Sequence, residues 1–108
     1  MPSDNAVEFK LAPAAKGDVL EIADYYTEIS AGLAERFVAE LGDALERLCF
    51  KPGLGSRRYA HLLPDTSLRV WQLDHFPYVL FYLVDDTGLN VLRVLHERRD
   101  LSNNLIAR

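Results

Sequence analysis

The side chains best suited to chemistry in this sequence are arginines and a histidine, and they gather late in the chain. The stretch Val91-Leu92-Arg93-Val94-Leu95-His96-Glu97-Arg98-Arg99-Asp100-Leu101 sets one arginine inside a run of branched apolar residues and then ends in titratable groups. Arg69 opens an earlier apolar run, and Arg57 and Arg58 precede it. Guanidinium groups recognise carboxylates and phosphates through charge-assisted, fork-shaped hydrogen bonds. Beside a His or Tyr that moves protons, such arginines could stabilise the phosphorane-like transition state of RNA cleavage. The structural alternative is equally physical. An arginine within a buried strand needs a carboxylate, because an unpaired buried charge is expensive. Asp100 and Glu97 are the candidate partners for Arg93, and pairing with either would fix the tail.

Other chemistries find little support. Cys49 is the one cysteine, so no intramolecular disulfide or Cys-rich metal site is possible, and its helical setting suits a small core residue. His61 falls in a loop and His75 in a turn beside Pro77. With His96 they are scattered, without the close spacing of metal ligands, so neither metal nor cofactor is expected. Gly53-Leu54-Gly55 follows a helix, which is the wrong context for a phosphate-binding loop. No serine sits in a nucleophile-elbow sequence.

The elements that must carry the arginines can be read from periodicity. Val7 to Leu11 alternates apolar and charged residues, as a strand with one wet face does. Pro13 suits the first turn of a helix running to about Glu28, with Val19, Ile22, Ala23, Tyr26 and Ile29 on one face. Asp18, Glu21, Asp24 and Glu28 line much of the remainder and are expected as solvated surface, or as a dock for a basic partner. Ser30 is a suitable N-cap for a second helix, Ala31 to Phe50, whose apolar stripe is Leu33, Phe37, Leu41, Ala44, Leu45 and Leu48. Pro52 stops it. A loop rich in Gly and Pro follows, with Tyr59 to Ser67 irregular. Leu68–Leu73, Tyr78–Val84 and Leu89–His96 read as three strands, the middle one apolar throughout and so covered on both faces. Gly88 is placed to take positive φ in the last hairpin. The order β-α-α-β-β-β predicts one α+β domain over residues 1–108: an antiparallel meander with the first strand added and a helical hairpin on one face.

Charge narrows the partners. The net charge is −4, with −6 on residues 1–50 and +2 on residues 51–108. A protein that grips nucleic acid along its whole surface is usually basic, so only a local basic site remains available here. No apolar run approaches the ~20 residues of a membrane span, and the first residues lack the basic start and apolar run of a signal peptide. The cytoplasm is the expected compartment.

Five segments, in order, resemble the RelE/ParE family of toxins from bacterial toxin–antitoxin pairs, and the ParE branch more closely. Asp18-Val19-Leu20-Glu21-Ile22-Ala23-Asp24-Tyr25 is similar to the family's Asp-Leu-x-x-Ile-x-x-Tyr, and Lys51-Pro52-Gly53-Leu54-Gly55 to its Pro-x-x-Gly loop. Leu68-Arg69 and Tyr78-Val79-Leu80-Phe81-Tyr82 resemble its second and third strands, and the segment ending in His96-x-Arg98-Arg99-Asp100 its last strand and tail. The resemblance implies a RelE/ParE-like fold and a small toxin neutralised by a cognate antitoxin. ParE-like members poison DNA gyrase; RelE-like members cut messenger RNA on the ribosome. Arg69 and His96 fall where some RelE-like enzymes place catalytic groups. The acidic net charge, the single Lys after Lys16 and the lack of an aromatic residue after Tyr82 favour the ParE-like, non-hydrolytic reading. RNA cleavage is the alternative, and a non-toxic antitoxin-binding remnant a further one. Strict strand alternation would put Arg93 with Val91 and Leu95, and His96 on the opposite face with Leu92 and Val94. Arg93 is then expected as a structural anchor, and His96, Arg98 and Arg99 as a target-binding rim.

Overall fold

The computed structural model describes residues 7–99. Strand β1 (Phe9–Leu11) is followed by helices α1 (Pro13–Ile29) and α2 (Ala31–Phe50), and then by strands β2 (Arg69–Gln72), β3 (Tyr78–Asp85) and β4 (Gly88–His96). Pro13 occupies the first turn of α1, where a missing N–H breaks no helical bond. Ser30 closes α1 and caps α2, its Oγ accepting from the Leu33 N–H at 3.0 Å. One residue therefore makes the whole corner of the helical hairpin.

The expected order is found, with one refinement in the sheet. β2, β3 and β4 form the antiparallel meander, but β1 joins the far side of β4 in parallel, so the sheet is mixed, with strand order β1-β4-β3-β2. A parallel neighbour requires a long crossover. Here the entire helical hairpin and the next two strands lie between β1 and β4. Gly88 has φ 121°, and a Cβ there would strike the Glu8 carbonyl, so glycine is required both by the turn and by the approach of β1.

The core has two parts. Under the helices lie Ile22, Tyr26, Phe37, Leu41, Leu48, Leu80, Tyr82, Val91 and Val94 among others. On the opposite sheet face Leu68, Val70, Val79, Phe81 and Leu95 are covered by Tyr59, Leu62, Leu63 and Leu92. The stretch 59–67, read as merely irregular, holds a short 3-10 turn and serves as the lid of this second core. β3 is thereby buried on both faces from Tyr78 to Tyr82, as its unbroken apolar run requires. Ile29, expected on the buried face of α1, is 58% exposed because it lies in the last turn, beyond the reach of the sheet. Cys49 is buried, and burial pushes its thiol up, consistent with a packing role. No helix among the described residues is long and apolar enough to cross a membrane.

Candidate functional site at the end of strand β4

The strand that carries Arg93 and His96 is irregular where it matters. Phe81 pairs with Arg93 but Tyr82 pairs with Val91, so Leu92 is an extra residue, a β-bulge. The bulge shifts the phase of β4. Val91 and Val94 both face the core beneath the helices, and Leu92 and Leu95 both face the other cluster. Strict alternation is thus wrong in grouping Val91 with Arg93 and Leu95, and Leu92 with Val94 and His96; Arg93 and Leu95 stay on one face, opposite Phe81 and Val79. His96 stays on the helix side with Val94, opposite Tyr78, with the two rings edge to face at 5.3 Å.

Arg93 is held by α1. Its Nε donates to Asp18 Oδ2 at 2.8 Å and its Nη2 to Asp18 Oδ1 at 2.9 Å, a bidentate fork. The Val94 N–H donates to the same Oδ2 at 2.9 Å. The local reason lies in β1. It is three residues long and ends where Pro13 starts α1, and its last ladder bond to β4 runs from the Ala12 N–H to the Val91 carbonyl. Beyond that point no strand among the described residues pairs with β4 on this side, and a carboxylate from the first turns of α1 takes the place of one. Asp18 is therefore not solvated surface: its side chain is 13% exposed. Glu97, one expected partner of Arg93, forms no ion pair with it among the described residues. Asp100, the other, lies outside them.

His96 organises the chain that follows. Its Nδ1 accepts from the Arg98 N–H at 3.1 Å and the Arg99 N–H at 3.2 Å, so the neutral ring carries its proton on Nε2. Arg98 and Arg99 are exposed. Tyr26 and Tyr78 share a hydrogen bond beside this turn. Burial, and then the neighbouring Tyr78 phenol, push the Tyr26 phenol up, against the opposing pull of the Arg99 charge. Tyr26 is therefore held in its protonated form at neutral pH.

The arginines of the 57–69 segment are dispersed. Arg57 Nη1 donates to the carbonyls of Thr66 and Leu68, closing the 57–68 loop. Arg58 lies over the Tyr59 ring at 5.3 Å. Arg69 Nη1 donates to the Gly55 carbonyl at 2.8 Å. Next to it the Tyr82 hydroxyl accepts from the Gly55 N–H and donates to the Pro52 carbonyl, and burial pushes this phenol up as well. Arg69 is opposite Tyr82 on β3, whereas His96 is opposite Tyr78. Strand geometry then separates the backbones of Arg69 and His96 by about 13 Å along β3 and about 10 Å across it. Arg69 is engaged at Gly55, and His96 at the Arg98–Arg99 turn.

A second feature lies beside α2, away from the arginines of the later half of the chain. A groove of about 640 Å³ runs between α2 and the edge strand β2, floored by Leu33, Ala44, Trp71, Leu73 and Phe76. Arg36, Glu40, Asp43 and Arg47 line it from α2 at helical spacing, a signal visible in the sequence once α2 is drawn as a helix. Glu40 reaches across one end, its Oε2 accepting from the N–H groups of Asp74 and His75 and its Oε1 lying 2.9 Å from His75 Nδ1. The edge of β2 is partly closed at Val70, whose N–H and carbonyl both pair with Ser56. Among the described residues no cluster of His, Cys, Asp and Glu is arranged to hold a metal ion.

The comparisons with known proteins agree with this architecture. The family model described as ParE toxin of type II toxin-antitoxin system, parDE, matches residues 9–101. The curated protein Toxin ParE1 of Mycobacterium tuberculosis, from strains CDC 1551 / Oshkosh and H37Rv, is 33% identical over 99 residues, covering 90% of this chain and 96% of that protein. A solved chain described as the chromosomal ParDE TA system from P. aeruginosa superposes with a TM-score of 0.70 over 86% of this chain and 98% of its own. At 18% identity that likeness concerns the fold alone.

Proposed function

From its membership of the ParE toxin family of type II toxin–antitoxin systems, to which this chain belongs, we propose that it is held inactive by a cognate antitoxin and, once released, acts on DNA gyrase in the cytoplasm. The observation that carries the choice of a protein target over messenger RNA is the dispersal of the arginines. Arg57, Arg69 and Arg93 are each committed to a carbonyl or carboxylate of the fold, and Arg69 and His96 stand far apart. In this reading His96, Arg98 and Arg99 form the rim that meets the target, presented by the bulged end of β4. Arg93 is the structural anchor behind them. No cofactor is needed for such an inhibitor.

The antitoxin is assigned to the opposite edge of the sheet, beside β2. The groove between α2 and β2 has an apolar floor and a charged wall, suited to one face of an amphipathic segment. An antitoxin lacking its C-terminal segment should then bind far more weakly and no longer neutralise. Undiminished neutralisation by the truncated form would remove the groove from the account.

The target is tested with purified protein. Inhibition of gyrase supercoiling, or trapping of cleaved DNA, is expected, with messenger RNA left intact in a translating extract. Codon-dependent cuts at physiological salt with gyrase unaffected would establish the RelE-like activity instead. Growth unaffected by induction of the chain alone would mark it as a remnant that binds antitoxin without toxicity.

A further inference from the structure

The bulge at Leu92 decides which side of the sheet His96 faces, and a bulge leaves the ladder locally unpaired. Two residues after it, the Val94 N–H points to the side of β4 that β1 no longer covers. That N–H is satisfied by Asp18, whose other contacts are the two prongs of the Arg93 fork. A single carboxylate on α1 thus fixes the backbone at Val94 and the side chain at Arg93, on either side of the peptide bond that follows the bulge. If β4 relaxed to regular pairing, every residue beyond Leu92 would turn to the opposite face. His96 would leave Tyr78, and the cap that its Nδ1 places on the Arg98 and Arg99 N–H groups would be re-aimed.

We propose that Asp18 is a positioning residue for the target-binding rim: its triple acceptance holds the bulged register of β4 and so sets the face on which His96, Arg98 and Arg99 are displayed. The proposal rests on the reading of that rim as the toxin's contact surface. Asp18 touches no target in it and acts only through β4.

The test uses the full chain. Asp18→Asn keeps the shape but removes the charge: its one carbonyl oxygen replaces the charge-assisted acceptor shared by Arg93 Nε and the Val94 N–H, and its NH2 faces Arg93 Nη2 donor to donor, which breaks the fork. Arg93→Lys is the second variant, keeping the charge while breaking the fork. In each variant that melts cooperatively, amide exchange at Val94 should accelerate by about tenfold or more, the free-energy scale of one charge-assisted hydrogen bond. The magnetisation-transfer contact between the His96 and Tyr78 rings should weaken, and growth arrest at matched soluble levels should fall. A folded variant that loses Val94 protection yet keeps His96 against Tyr78 would overturn the proposal. So would lost ring contact with undiminished growth arrest, or failure of both variants to fold, which would make the pair purely structural. Absence of growth arrest by the unsubstituted chain would defeat the toxin reading itself, while exchange and ring contact would still decide whether Asp18 holds the register.

Discussion

Arg93→Ala removes both prongs of the fork and leaves Asp18 with the Val94 N–H as its remaining backbone donor among the described contacts. Breaking a fully buried ion pair costs ~3–5 kcal/mol, because a charge is stranded out of water. This pair is not fully buried: the Arg93 side chain is 21% exposed and that of Asp18 13%. Water reaching Asp18 in the variant offsets part of the loss, which brings the expected cost to about 2–3 kcal/mol, the scale of one or two charge-assisted hydrogen bonds. Against a total stability of ~5–15 kcal/mol this is a large fraction. For a domain of this size it corresponds to a fall in melting temperature of roughly 10 °C. Thermal melts followed by circular dichroism measure it directly, and growth arrest assayed at matched soluble levels should decline with the folded fraction. An unshifted melting temperature would refute the anchoring argument. A stable Arg93→Ala chain that had lost toxicity, with the His96 ring still against Tyr78, would show that Arg93 meets the target itself.

The other expectations concern sites that should behave differently. Replacing Arg98 and Arg99 together by Ala should leave melting nearly unchanged, since exposed charges contribute ~0–1 kcal/mol, while weakening growth arrest; a large melting shift would reassign them to the fold. Tyr82→Phe removes the bonds to Gly55 and Pro52 and strands a buried N–H, and should cost about 2–3 kcal/mol in chemical denaturation without altering the end of β4. Burial raises the Glu40 carboxyl, but donation from the His75 and Asp74 N–H groups outweighs it and holds the group below the usual carboxylate range. A depressed folded-state value means stability present above the unfolded value and lost as pH falls through the folded one. Glu40→Gln should accordingly lower melting at neutral pH, with the gap to the parent closing as pH drops through the acid range; a gap independent of pH would argue against the charge.

Element types and order were legible from local pattern because each element carries its own periodicity. The three-four spacing on α2, the apolar run of β3, the Ser30 corner and the need for glycine at position 88 are properties of neighbours in sequence, and backbone sterics and burial act on them directly. What joins distant residues was not legible. The arginine of β4 demands a carboxylate, but only folding brings Asp18, 75 residues earlier, to it, because β1 stops short and α1 fills the edge. Local pattern pointed instead to Glu97 and Asp100, the nearest acids in sequence. The bulge at Leu92 was hidden for a related reason: one residue more or less in a strand is set by its partners, and Leu92 is as apolar as a regular position requires. The parallel pairing of β1, the cover that 59–67 lays over the second core and the groove beside β2 likewise exist only between elements. The sequence by itself determined which side chains could recognise an anion or a partner; the tertiary structure decided which of them are committed to the fold and which stand at its rim, because burial and pairing depend on distances that no local spacing encodes.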